Sequence, residues 1–527
     1  MWRLQIPGPI RCEMSADAAS VVARDTGKVG KMSRYVLAGA LFLSVCAAFP
    51  AYCRSATGPA EMPVAAASCA PGDHKESVQG ETTLAERFSP GPSKAYTCNL
   101  ELLGQFEGEG ASDGLDMFDS CAYFSIIPGP GIQHPGVAVM DLSDVRRPTA
   151  VLYLSSPAML DSQESVAVSR TSKLLIASSM SAPDPAPIDL YDLEADCRHP
   201  VLRSSVSFAH LYSHAGQFTS DGGTYYGAKW RSDPKEPPPS AVFALDVRDR
   251  TTPRLIGSWN PPEGSWLTHG VVVNEEGTRA YVALKRLVDD REGAKSPNGL
   301  AVLEITEMQA RRPSAQMHLL GTLFWDDTHA AEGMQVFRIG GHPYLVFSDN
   351  EGAIGYTAPP SPDVCNSGKP GHGFARIIDI SDDTRPRTLS KLMLEVAAPK
   401  NCTKVMHDPT SYGGYGSFAC SVDHEDNAKL LACASFEAGL RVFDIRNPVH
   451  PVEVAYYKPP ARRRQSRPGS ILTSIVGEGQ DHTVDSVITF PRFRDTDKIV
   501  FTSADNGLQI VRFSEPFELS HPDLFRN

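Results

Sequence analysis

One pattern is written seven times along this chain, and it constrains the fold more than any other feature. It consists of an apolar run, an acidic residue, a short loop, a proline and a second apolar run. Copies are GVAVMDLSDVRRPTAVLYL from Gly136, PIDLYDLEADCRHPVLRSSV from Pro187, AVFALDVRDRTTPRLIGSW from Ala241 and GLAVLEITEMQARRPSAQMHLLGTLFW from Gly299. Two more are GFARIIDISDDTRPRTLSKLML from Gly373 and GLRVFDIRNPVHPVEVAYYKPP from Gly439. A seventh, GLQIVRFSEPFEL from Gly507, lacks the acid.

The acidic positions Asp141, Asp192, Asp246, Glu304, Asp379 and Asp444 are 51, 54, 58, 75 and 65 residues apart. A several-stranded unit recurring at roughly 40 to 50 residues or more is the mark of a β-propeller, in which each blade is a four-stranded sheet facing a central channel. Between the copies lie the other strands of each blade. THGVVVNEEGTRAYVAL from Thr268 turns at Glu276-Gly277, and SHAGQFTSDGGTYYGAKW from Ser213 turns at Asp221-Gly222, a strong hairpin signal. The 42 glycines and 42 prolines suit so many turns.

The expected fold is therefore all-β, a seven-bladed β-propeller over residues 98–515. The segment Cys98 to Phe106, CNLELLGQF, precedes the first blade and has no partners there. It resembles the fourth strands RLIGSWN and EVAYYKPP, and is expected to complete the last blade and so remove a free sheet edge. Residues 516–527 are read as a C-terminal tail. The repeat aspartates Asp141, Asp192, Asp246, Asp379 and Asp444 have a structural role by default. Each can bond backbone N–H groups of its loop, while the proline fixes φ where the fourth strand starts.

The stretches GLRVFDIRNPVHPVEVAYY, ARIIDISDDTRPRTLSKLMLEV and GVAVMDLSDVRRPTAVLYL resemble the LVIVD repeat of exported bacterial β-propeller proteins. TCNLELLGQF and HPYLVFSDNEG are similar to segments of large members of that group, so the resemblance spans roughly residues 95 to 513. It implies a propeller and export. It implies no common reaction or ligand.

The N-terminus also points to export. Residues 1–53 are read as a targeting segment: YVLAGALFLSVCAAFPA, from Tyr35, is an apolar run preceded by Lys28, Lys31 and Arg34 and followed by small residues. Met32 is an alternative start, and Cys46 offers a lipid-anchor reading. Membrane contact is expected only through this segment. Residues 54–97, rich in Pro, Ser, Ala and Glu, are expected to be a flexible linker. The location expected is periplasmic, secreted or cell surface.

Eight cysteines remain beyond the targeting segment: Cys69, Cys98, Cys121, Cys197, Cys365, Cys402, Cys420 and Cys433. An even number in an exported chain permits disulfides without giving their pairing. The best single pair is Cys420 with Cys433, since SVDHEDNAKLLA between them reads as a hairpin.

A net charge of −12 without a long basic stripe argues against nucleic acid as a partner. The short run Arg462, Arg463, Arg464 with Arg467 reads as a solvated loop. There is no G-x-S-x-G elbow, Walker A or H-E-x-x-H pattern.

In a propeller the innermost strands all start near one channel mouth, so residues at those starts converge from far apart in sequence. The starts carry Glu164, His214, His269, His329 with Glu332, and His482; His407 adds a loop histidine. His214, His269, His329 and His482 are candidate ligands of a transition metal (Zn, Cu, Fe or Ni), with Glu164, Glu332 and His407 as extra donors. The structural alternative is that each such histidine bonds backbone in the neighbouring blade. Two functional classes follow: an exported scaffold that binds a protein, glycan or small-molecule ligand, and a metal-dependent oxidoreductase or hydrolase.

Overall fold

The computed structural model describes residues 62–88, 93–180, 184–229, 241–262, 266–286, 296–354, 362–406, 413–462, 467–476 and 484–526. Seven antiparallel sheets stand in a ring. Blade one is Leu115–Phe118, Cys121–Ile126, Gly136–Asp141 and Thr149–Leu154, from the channel outwards. Blade two runs from Ala167–Ser169 to Val201–Phe208, blade three from Ala215–Phe218 to Arg254–Trp259, and blade four from Leu267–Val273 to His318–Trp325. Blade five spans His329–Ile339 to Arg387–Leu392 and blade six Ala419–Val422 to Val452–Lys458.

Blade seven draws on both ends of the described chain. Arg492–Arg494, Lys498–Ser503 and Gly507–Phe513 pair in order, and Leu100–Phe106 pairs antiparallel with Gly507–Phe513 as the outer strand. Just before it, Tyr96–Cys98 adds a fifth strand to blade six by pairing with Val452–Lys458. Asn99, at φ 57°, makes the turn between the two sheets, a conformation that Asn tolerates better than most residues. Its side chain donates to Val454 O at 2.8 Å and Ser68 O at 2.9 Å.

Local chemistry explains the blades. Middle strands are buried on both faces, as in Arg279–Lys285, whereas outer strands such as Thr149–Leu154 alternate between exposed and covered positions. Between blades two and three, Leu174, Ile176, Phe218, Tyr225 and Phe243 form one apolar cluster. Fully burying a side chain such as Phe243 contributes about 1.5 to 3 kcal/mol. The expected Asp221-Gly222 turn places Gly222 at φ 67°, in the left-handed region.

The repeat aspartates act on their own loops. Each accepts the backbone N–H two residues on: Ser143 for Asp141, Glu194 for Asp192, Arg248 for Asp246, Ser381 for Asp379 and Arg446 for Asp444, at 2.8 to 3.2 Å. Three also join blades. Arg198, Arg250 and Arg311 reach back from the following blade to Asp141, Asp192 and Asp246 at 3.7, 2.5 and 3.0 Å.

Residues 62–88 depart from the expected exposed linker. Arg441 of blade six forms a two-pronged pair with Glu76 at 2.7 and 2.8 Å, and Lys458 donates to Gly80 O, Glu81 O and Thr82 Oγ1. Arg87 bonds Tyr415 at 2.6 Å and Glu437 at 2.7 Å. Polar composition suggested solvent, but these charges are satisfied by buried partners on blade six. The chain end is packed as well: Phe517 and Phe525 lie 5.5 and 5.0 Å from the Phe513 ring.

Four disulfides are present among the described residues: Cys69–Cys98, Cys121–Cys197, Cys365–Cys402 and Cys420–Cys433. Cys420 and Cys433 face each other across the first two strands of blade six. No described helix is long and apolar enough to cross a membrane.

Candidate metal centre

Four consecutive blades each send one acidic or imidazole side chain to a common point at the channel. Glu164 comes from the turn Gln163–Ser165 ahead of blade two, and His214 directly precedes the inner strand of blade three. His269 and Glu332 lie within the inner strands of blades four and five. In both of those strands the ladder slips at the residue concerned, between Thr268 and Val271 and between Ala331 and Met334. Such irregularities re-aim a side chain that regular alternation would send elsewhere. Close packing requires Gly333 beside Glu332, because a Cβ there would meet Ala419 Cβ at 2.6 Å.

One ligand atom from each of the four residues lies within 4.8 Å of the other three. His214 Nε2 is 3.0 Å from Glu164 Oε1, and His269 Nε2 is 2.7 Å from Glu332 Oε2 and 3.8 Å from Glu164 Oε1. Donors about 2.1 Å from a shared ion stand roughly 3 Å apart at right angles and roughly 3.4 Å apart at tetrahedral angles, so these spacings fit one ion. His269 is fully buried, and its Nε2 makes no well-directed hydrogen bond despite the short contact with Glu332. Glu164 Oε2 is buried without a hydrogen-bond partner among the described residues. At 2.7 Å the His269 and Glu332 atoms leave no room on the line between them, so a shared ion would sit to one side, within reach of both.

Burial raises the Glu164 carboxyl to about 7, against the attraction of His269, and lowers His214 to about 4. Burial also lowers His269. At Glu332 burial opposes ionisation, but His269 and Lys285 outweigh it and hold the carboxyl at about 2. The neutral imidazoles and ionised Glu332 are protonation states a metal requires, whereas Glu164, raised by burial, would have to release its proton on binding one.

A cavity of about 630 Å³ runs along the channel, and Glu164 and Glu332 line it. Farther along, the inner strands contribute Gln217, Gln335 and Arg492, and Phe490 lies just ahead of the last of these strands.

Of the expected four histidines, the structure brings His214 and His269 together, with Glu164 and Glu332. His329 is buried beside Arg286, Lys369, Asp326 and Asp327 and stays outside the cluster. His329 and Glu332 stand three residues apart in one strand, where regular alternation already favours opposite faces; Ala330, at φ 56°, and the slip after Ala331 add local irregularity. His482 and His407 lie outside the described residues. Lys285 and Asn350, at the ends of second strands, join the site through Glu332 without any repeated signal in sequence.

Fold and site define a class: a seven-bladed β-propeller with two histidines and two glutamates clustered at its channel. No family model matches the chain, and no curated protein matches it. Among solved structures, the β-propeller domain of Myceliophteria thermophila Cps50 (Swd1) is similar over 79% of this chain and 100% of that one, at 10% identity and a TM-score of 0.46. The Pseudomonas aeruginosa periplasmic gluconolactonase PpgL is similar over 80% and 100%, at 14% identity and a TM-score of 0.42. Neither likeness bears on activity, and the seven-bladed architecture rests on the strand pairing itself.

Proposed function

We propose that the chain is an exported metal-dependent propeller enzyme that holds one divalent transition-metal ion through Glu164, His214, His269 and Glu332. The convergence of these four buried side chains within 4.8 Å carries the reading. A bound ion would supply Lewis-acid or redox chemistry: hydrolysis with zinc, oxidation with iron or copper. The chain's own part is to hold the imidazoles neutral, to keep Glu332 ionised and to admit a small ligand along the channel. Four disulfides support export, because they persist in oxidising compartments.

A second reading has one observation in its favour. Four protein donors are enough to close a tetrahedral zinc site, and closed sites are structural. The protein would then be a binding scaffold whose metal ties four blades together.

The test is elemental analysis of the full chain purified from an oxidising compartment, beside His269→Ala and Glu332→Gln. The expected result is about one transition-metal ion per wild-type chain, absent from both variants. A metal-free wild type that cannot be loaded would end both readings. Binding of azide or another small anion to the loaded protein separates an open, catalytic centre from a closed one.

A further inference from the structure

Glu332 has its two oxygens committed to different tasks. Oε2 lies against His269 at 2.7 Å. Oε1 accepts from Lys285 Nζ at 2.7 Å and from Asn350 Nδ2 at 2.5 Å. All three residues are buried: Lys285 is 4% exposed, and Glu332 and Asn350 are each 2%. Lys285 ends the second strand of blade four and Asn350 lies near the end of that of blade five, so both donors are fixed by sheet pairing.

We propose that Lys285 is a selectivity-determining positioning residue, which keeps Glu332 a one-oxygen donor and so tunes the site to transition metals against calcium. This rests on the metal reading above and deepens it. Calcium takes six to eight oxygens and commonly uses both oxygens of a carboxylate. Here an ammonium and an amide occupy the second oxygen, and two of the four donors are imidazoles, which suit zinc, copper, iron and nickel. Lys285 also places a buried positive charge beside the centre, which opposes any cation there and leaves calcium, an oxygen binder, without the imidazole bonds that a transition metal gains. Outer-shell partners of this kind commonly alter metal affinity by about 10- to 100-fold.

The experiment is competition between Zn²⁺ and Ca²⁺ on the full chain, followed by calorimetry and elemental analysis, for wild type, Lys285→Met, Lys285→Arg and Asn350→Leu. Wild type should bind zinc and exclude millimolar calcium. Lys285→Met should lose about 10- to 100-fold in zinc-over-calcium preference, and Lys285→Arg, which keeps a charged donor, should retain most of it. Asn350→Leu, which removes the other Oε1 donor, should show a smaller loss and provides a second reading if Lys285→Met does not fold. The zinc-minus-apo infrared carboxylate bands of the wild type, with the Glu164 contribution identified from Glu164→Gln, should report one-oxygen ligation by Glu332. Unchanged preference in folded Lys285→Met, or two-oxygen ligation by Glu332 in wild type, would overturn the proposal while leaving the metal centre standing. Failure of wild type to bind any transition metal would instead remove the reading on which it rests.

Discussion

His214 and His269, supplied by neighbouring blades, meet edge to face with ring centroids 4.4 Å apart and an interplanar angle of 82°. An edge-on approach of two buried imidazoles puts their nitrogens on one centre, where Glu164 and Glu332 complete the set. A ligand that binds only the folded state stabilises it by mass action, by about 2.7 kcal/mol at a hundred times its dissociation constant. Removing bound metal with a chelator should therefore lower the melting temperature by several degrees, and re-addition of zinc should restore it. An unchanged melting temperature in a chain shown to carry metal would count against this centre as the binding place.

Arg441 sits fully buried between Glu76 and Glu453. Removing one partner of a buried ion pair costs about 3 to 5 kcal/mol, because charge is left uncompensated. Arg441→Met should destabilise the protein by that order in urea titration. The triple variant with Glu76→Gln and Glu453→Gln should recover much of the loss. If Arg441→Met unfolds like wild type, residues 62–88 do not depend on this pair for docking.

His372 is buried and stacks edge-on to Tyr415. Burial first, and then Arg87, lower it to about 4. In the unfolded chain it titrates near 6.5, so between pH 6.5 and 4 the unfolded state takes up the proton first. Its contribution is complete above pH 6.5 and is lost as pH falls towards 4, on the order of 3 kcal/mol over that window. A folded His372→Gln should show a shallower decline in stability over the same range. Parallel curves for the two proteins would show that His372 is not the group responsible.

Leu100–Phe106 is the outer strand of blade seven and tests ring closure directly. Deleting residues 62–106 would leave Gly507–Phe513 as an unpaired edge, which invites association with other chains. The expected outcome is aggregation or a large loss of stability, read by size-exclusion chromatography and thermal melting. A monomeric truncated protein with wild-type melting behaviour would show that the ring holds without this strand.

Much of the architecture was legible because its cause is local. A β-blade writes its own pattern: Asp246 caps its loop through Arg248 N, Gly222 supplies a left-handed turn, and apolar runs mark the strands. Repetition made the pattern countable, and it put Glu164, His214, His269 and Glu332 near the inner strand starts. What sequence could not give was direction. A strand start says which mouth of the channel a residue is near, whereas the slips at His269 and Glu332 and the turn at Ala330 decide which side chains meet. His329 stands apart while a glutamate three residues later joins the site. Lys285 and Asn350 were invisible for a related reason: their partner is a single carboxylate oxygen, reached by Lys285 from the neighbouring blade and by Asn350 from the next strand of the same blade. The docking of residues 62–88 through Arg441 and Lys458 likewise depends on buried charges finding one another over several hundred residues of chain. Sequence determined the repeat, and thereby the ring; tertiary structure alone decided which atoms share its centre, because that depends on backbone irregularities that leave no periodic trace.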